Sequence, residues 1–177
     1  MVNNESLQAL IREIATASTL QGELRLRSGD TTTSYFDKYL FEGQPKILSR
    51  LASVMASLLP ADTELLAGLE LGGIPLATAI SLHSGIPTVF VRKQAKAYGT
   101  AKAVEGPSIQ GRRTTIIEDV VTTGGAIVDG AGKLREGGAN VKTAVCAIWR
   151  GANLTQLHNM GLELRWAVSK VELENAT

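Results

Sequence analysis

Residues 114–126 read Thr-Thr-Ile-Ile-Glu-Asp-Val-Val-Thr-Thr-Gly-Gly-Ala. An apolar run over Thr114–Ile117 leads into two adjacent carboxylates, Glu118 and Asp119. A hydroxyl- and glycine-rich turn follows and opens a helical pattern over Ala126–Arg135. A short, continuous apolar run bounded by such a turn predicts a strand buried on both faces, the pattern of a parallel sheet. The turn is then a strand-to-helix loop. Its backbone N–H groups and the hydroxyls of Thr122 and Thr123 can converge on an anion at the helix N-terminus, where the dipole favours negative charge. Two acids beside that cradle would repel a bare anion. They suit a ligand that also offers hydroxyl donors, or one that carries a divalent cation.

The same alternation extends in both directions. Glu64–Leu69, Thr88–Val91 and Val141–Ile148 are further apolar strands, and Ile74–His83 is a helix ended by Gly85, as Ala126–Arg135 is ended by Gly137 and Gly138. Pro45 opens a helical pattern that runs to Leu59 and stops at Pro60. Apolar residues 7, 10, 11 and 14 place a helix over Ser6–Ala17, and the turn-rich stretch Leu24–Asp37 reads as a short hairpin or extended hood. Leu162–Val168 adds an edge strand. The fold class is therefore α/β: one domain over 1–177, with a mostly parallel sheet flanked by helices and a small N-terminal hood at about 20–40. Ligands of such sheets bind beyond the carboxyl ends of the strands, in the loops that lead into helices.

Composition narrows the function classes. The chain has 177 residues, 18 of them glycine, with 44% hydrophobic and 20% charged residues and a net charge of +1. It is too apolar for disorder, and no apolar run approaches the roughly 18 residues of a membrane span. Near-neutral charge argues against a nucleic-acid partner. The start MVNNESLQAL has no basic stretch feeding an apolar core, so a cytoplasmic location is expected. Cys146, alone of its kind, makes no intrachain disulfide and reads as a small buried hydrophobe. His83 and His158 sit in helical patterns away from the loops and read as structural. Gly130-Ala131-Gly132-Lys133 is followed by Leu134 and lacks the hydroxyl of a phosphate-binding P-loop, and no GxGxxG is present.

Two other loops carry chemistry. From Arg92 to Lys102 the sequence Arg-Lys-Gln-Ala-Lys-Ala-Tyr-Gly-Thr-Ala-Lys holds four positive charges and no acid, which leaves the rest of the chain at −3. A basic loop on a slightly acidic body suits a small anion: Arg92 supplies a planar fork, and Lys93 and Lys96 supply mobile point charges. Gly68-Leu69-Glu70-Leu71-Gly72-Gly73 also ends a strand and starts a helix, and Gly72 and Gly73 let the backbone approach a diphosphate closely. Arg150 follows the strand Val141–Ile148 and sits at the same ligand edge.

The string from Thr115 to Ala126 resembles the phosphoribosyl-diphosphate (PRPP) signature of type I phosphoribosyltransferases, with Ala126 where Ser or Thr is frequent. Phe90-Val91-Arg92-Lys93-x-x-Lys96-x-Tyr98-Gly99 is similar to the catalytic loop of the orotate phosphoribosyltransferases, with Tyr98 in a frequent histidine position. Leu26-Arg27-Ser28-Gly29 and Ser34-Tyr35-Phe36-Asp37 resemble that family's hood. The resemblance covers about residues 20 to 150 and implies the type I phosphoribosyltransferase fold. It also implies Mg2+-dependent transfer of phosphoribosyl from PRPP to orotate in pyrimidine biosynthesis.

By the same resemblance, Arg92, Lys93 and Lys96 are catalytic and bind PRPP. So do Glu118, Asp119, Val120, Val121, Thr122, Thr123, Gly124, Gly125 and Ala126, with Gly72 and Gly73 as the diphosphate loop. Some relatives carry lysine where this chain has Gly72. Thr122, Arg150, Arg27, Tyr35 and Phe36 would bind orotate. A homodimer sharing the basic loop across subunits is implied, with Mg2+ held mainly by PRPP. The alternatives are another base-specific phosphoribosyltransferase, against which Arg150 and the basic loop weigh, and a PRPP-binding regulator. The latter would need a basic face or a DNA-binding module.

Overall fold

The computed structural model describes residues 4–25, 29, 31–94 and 103–176. Its main sheet has six strands in the order β5-β4-β3-β6-β7-β8. Here β3 is Leu65–Leu69, β4 Thr88–Val91, β5 Val104–Glu105, β6 Arg113–Val121, β7 Asn140–Trp149 and β8 Glu163–Ser169. All neighbouring strands are parallel except β5, which pairs antiparallel with β4. The five residues of β3 are all buried, which is why the strand reads as an unbroken apolar run rather than an alternating one.

Helices cover both faces. On one, α1 (Asn4–Ser18), α3 (Pro45–Ser57) and α4 (Gly73–Ser84) pack Ile14, Leu51, Met55, Leu76 and Ile80 against Ile117 and Val145. On the other, α5 (Gly125–Glu136) and α6 (Thr155–Asn159) set Ile127, Leu134 and Leu157 against Leu65, Ile116 and Cys146. Each of these large apolar side chains contributes about 1.5–3 kcal/mol by leaving water. The short helix α7 (Lys170–Glu174) follows β8 behind a capping box formed by Ser169 and Glu172. No helix among the described residues is long and apolar enough to cross a membrane.

The hood is an antiparallel ribbon of β1 (Thr19–Arg25) and β2 (Thr31–Phe36), with Thr19 opposite Phe36. It starts directly after α1, five residues earlier than the turn-rich stretch suggested. A five-residue helix, α2 (Lys38–Glu42), follows it, with the Asp37 carboxylate accepting the Tyr39 N–H at 3.0 Å as N-cap. Neither α2 nor the two-residue β5 is long enough to show a period, so neither was expected. β6 also outruns its expected end. It stays paired with β7 as far as Val121 opposite Trp149, and so Glu118 and Asp119 lie inside the strand rather than beyond it.

Strand order locates the crevice. From β3 the chain passes through α4 to β4 on one side, then returns through β5 to β6 on the other. The carboxyl ends of β3 and β6 therefore flank the point where the winding reverses, the place where open α/β sheets bind ligands.

Candidate active site

The loop after β3 lies directly against β6. Gly72 is the N-cap of α4, and a Cβ there would overlap the carboxylate of Asp119. A Cβ on Gly73 would collide with the carbonyl oxygen of Ile117. The Glu70–Leu71 peptide just before them is cis. Any side chain at these two glycines would hold the loop away from the strand.

Asp119 is fully buried. Its Oδ1 accepts the Val120 N–H at 2.5 Å, and its Oδ2 faces Lys38 Nζ of α2 at 2.5 Å. Lys38 is one-third exposed and also lies over the Tyr39 ring. Glu118 and Glu42 are buried as well, and the Asp119 N–H donates to Glu118 Oε1 at 3.2 Å. Three carboxyl groups thus share one ammonium in a site with little water. Burial, then hydrogen bonding to Asp119 and its negative charge, push Glu118 up to about 9. Burial and the Asp119 charge push Glu42 up to about 8. Burial also works against the charge on Asp119, but hydrogen bonds from Glu118, Lys38 and the Val120 N–H outweigh it, so Asp119 falls below the usual carboxylate range. Lys38 rises, because the Asp119 hydrogen bond and charge overcome its own desolvation. Within the cluster Lys38 and Asp119 form the ion pair, and burial raises both Glu118 and Glu42.

After β6, Gly124 takes a left-handed backbone (φ 84°) as the N-cap of α5, and a Cβ there would press on Leu157 at 3.0 Å. Val120 and Val121 precede this turn at the end of the strand. Thr122, Thr123, Gly125 and Ala126 are exposed at the mouth of the crevice, ahead of a helix whose first turn has no acid. That arrangement leaves free N–H groups facing solvent for an anion.

At the end of β7, the Arg150 N–H donates to the Val121 carbonyl at 2.8 Å, and its guanidinium lies 5.4 Å from the centre of the Phe36 ring of the hood. Phe36 in turn meets Phe41 of α2, ring centres 6.3 Å apart. Tyr35 is exposed nearby in sequence on the same ribbon. Gly151 keeps this corner tight, since a Cβ would strike the Trp149 ring and the Thr122 carbonyl. A cation and an aromatic ring, from segments more than a hundred residues apart, thus meet over the carboxyl end of β7.

The stem of the basic loop is stapled. The Arg92 N–H donates to Ala103 O at 2.8 Å, and the Lys93 N–H to Glu70 Oε2 at 2.8 Å. Lys133 Nζ donates to the carbonyls of Arg92 (3.1 Å) and Lys93 (2.8 Å) and to Asp129 Oδ2 (2.6 Å). The lysine that ended a false P-loop pattern thus anchors the start of the basic segment. Lys96, Tyr98, Gly99 and the hood's Arg27 lie outside the described residues.

Residues 44–161 match the family model described as phosphoribosyl transferase domain. An orotate phosphoribosyltransferase of Nocardioides sp. is 51% identical over 168 residues, covering 94% of each chain. One of Halobacterium salinarum is 40% identical over 171 residues, covering 94% of this chain and 96% of its own. The chain belongs to the orotate phosphoribosyltransferase family. In line with this, the crystal structure of the Mycobacterium tuberculosis orotate phosphoribosyltransferase superposes with a TM-score of 0.86 at 26% identity, covering 94% of this chain and 98% of that one. The fold is accordingly the type I phosphoribosyltransferase fold that the β6 signature implied.

Against the family's motifs, the structure gathers Gly72, Gly73, Glu118, Asp119 and Thr122–Ala126 around one crevice, and it sets Arg150 beside Phe36. Lys38 and Glu42 were missed by sequence reading. They lie in a helix too short for a periodic signal, and only the Asp37 capping residue before them marked a helix start. His83 and His158 are exposed in the last turns of α4 and α6, and Cys146 is buried.

Proposed function

We infer that this crevice transfers the 5-phosphoribosyl group from PRPP to orotate, giving orotidine 5′-monophosphate and diphosphate on the route to UMP. The observation that carries the reading is the meeting, at the reversal point of the sheet, of a close-packed glycine loop, a buried acid pair and a helix start with exposed hydroxyl and glycine residues. An arginine stacked on an aromatic hood residue stands beside them. In this reading the 5′-phosphate sits on the N–H groups of Thr122–Ala126, and Glu118 and Asp119 hold the ribose hydroxyls. Gly72 and Gly73 admit the diphosphate, which Arg92, Lys93 and Lys96 neutralise. Arg150 takes the orotate carboxylate as a planar fork, with Thr122, Phe36, Tyr35 and Arg27 around the pyrimidine. A ring without the carboxylate leaves Arg150 unpaired and is rejected.

The bond from the anomeric carbon to diphosphate breaks as the bond to the orotate ring nitrogen forms. Positive charge grows on the sugar and negative charge on the leaving diphosphate. Orotate's nitrogen reacts as an anion, so no strong general base is required. The chain's contribution is positioning and electrostatic stabilisation, with Lys96 as the principal catalytic lysine. Mg2+ would be carried mainly by PRPP, since both Asp119 oxygens are already engaged and Glu118 is buried; bound there it would supply positive charge beside the departing diphosphate. A homodimer that shares the basic loop, a single domain over the whole chain and a cytoplasmic location complete the proposal. The test is loss of orotate absorbance on mixing with PRPP and Mg2+. Turnover with a purine base but none with orotate overturns it.

A further inference from the structure

We propose that Lys38 is a positioning residue for Asp119, holding that buried carboxylate in place near the end of β6 through a direct ion pair, with Glu42 beside it one turn later on α2. The proposal rests on the reading of Glu118 and Asp119 as the contacts to the ribose hydroxyls. Lys38 and Glu42 are four residues apart and so share a helix face, and that face meets Asp119. Asp119 has no exposure, its Oδ1 is taken by the Val120 N–H, and Gly72 leaves just enough room for Oδ2. A charged carboxylate in such a place must have a counter-charge, or it takes up a proton or turns away. Lys38 is the ammonium that reaches it, at 2.5 Å.

Glu42, Glu118 and Asp119 are all buried, and Lys38 Nζ reaches Asp119 Oδ2 at 2.5 Å. Glu42 is buried beside this pair, and its Oε1 has no hydrogen-bond partner. Lys38 therefore fixes the Asp119 side chain, and with it the acid pair of β6 that the ribose reading sets against the sugar hydroxyls. Lys38 and Glu42 act through Asp119 and need not touch the reacting atoms.

Calorimetric titration with PRPP and Mg2+, run beside steady-state turnover of orotate, tests this in Lys38→Met, Lys38→Arg and Glu42→Gln. Lys38→Met is expected to weaken PRPP binding and raise its KM by about ten- to a hundredfold, the range for a lost charge-assisted hydrogen bond, with the orotate KM unchanged within about twofold. Lys38→Arg keeps the charge and recovers most of the affinity. Glu42→Gln keeps a donor without a charge and stays within about threefold. Should Lys38→Met not fold, Lys38→Gln carries the same expectation. Unchanged PRPP affinity, equal loss in the Arg and Met variants, or equal loss for both substrates overturns the proposal. Wild-type protein that binds PRPP in a Lys38-dependent way without turning over orotate removes the transferase reading and leaves this one standing. Turnover with Lys38-independent PRPP binding does the reverse, and wild-type protein that does not bind PRPP removes both.

Discussion

Gly72→Ala sets two physical effects of opposite sign against each other. Gly72 has φ −70° and ψ −25°, a helical backbone that alanine adopts freely. Chain entropy alone would favour the variant by about 0.4–1 kcal/mol. The surroundings reverse that. The new Cβ overlaps Oδ2 of Asp119 and crowds the rest of that side chain. The carboxylate cannot step aside freely, because the Val120 N–H and Lys38 Nζ each hold it at 2.5 Å and no part of it reaches solvent. Rotating it gives up a charge-assisted hydrogen bond, which costs about 1.5–3 kcal/mol. Moving the start of α4 off β6 instead costs about 1–3 kcal/mol.

After the entropy gain is set against either route, the variant should be less stable by up to about 2.5 kcal/mol, or up to roughly 10 °C in Tm for a chain of this size. Its KM for PRPP should rise about tenfold. Gly132→Ala is the control: it lies inside α5, and its Cβ meets nothing within 4 Å. It should raise Tm by about 2–4 °C, from a helix-propensity gain of about 1 kcal/mol. Thermal and urea unfolding followed by circular dichroism, with equal m-values, measure both variants. A rise in Tm for Gly72→Ala alongside Gly132→Ala would refute the close approach of this loop to Asp119.

Other consequences are equally direct. Arg150→Ala should raise the KM for orotate by about tenfold or more while the PRPP KM moves little; equal changes would remove the carboxylate contact. Lys96→Ala should reduce kcat by a hundredfold or more with Tm unchanged, by analogy with the loss of one preorganised donor to a developing negative charge, and near-normal turnover would end its catalytic role. Stability should fall between about pH 5 and 9. Glu118 and Glu42 are raised from 4.5 to about 9 and about 8 in the folded chain, so the native state holds protons there that the unfolded chain has released, and each rise in pH favours unfolding. Asp119 is shifted the other way from 3.8, so its stabilisation is present over the whole of this range and is lost only in stronger acid. Tm measured from pH 5 to 9 should therefore decline, and Glu118→Gln should flatten the curve. A flat wild-type profile would contradict the two raised carboxyls.

Much of the fold was legible because its signals are local. The apolar run of 114–117, the helical spacing of 45–59 and 74–83 and the glycines at 72, 73, 124 and 125 each act over a few residues. Backbone sterics and burial on two faces imprint them whatever the rest of the chain does. The basic loop and Arg150 stood out for the same reason, as charges at strand ends. By itself, then, the sequence determined that a parallel sheet presents glycine-rich and basic loops at the carboxyl ends of its strands.

Tertiary structure decided what those loops touch. The order β5-β4-β3-β6-β7-β8 puts β3 beside β6, and only that adjacency presses Gly72 onto Asp119. Helix α2 is too short to announce itself, yet it delivers Lys38 to the buried Asp119 of β6 and sets Glu42 beside them. Arg150 finds Phe36 across 114 residues of chain. Charge state and neighbour identity depend on burial and on contacts between distant segments. Those interactions fall off over a few ångströms in space and are indifferent to separation along the chain.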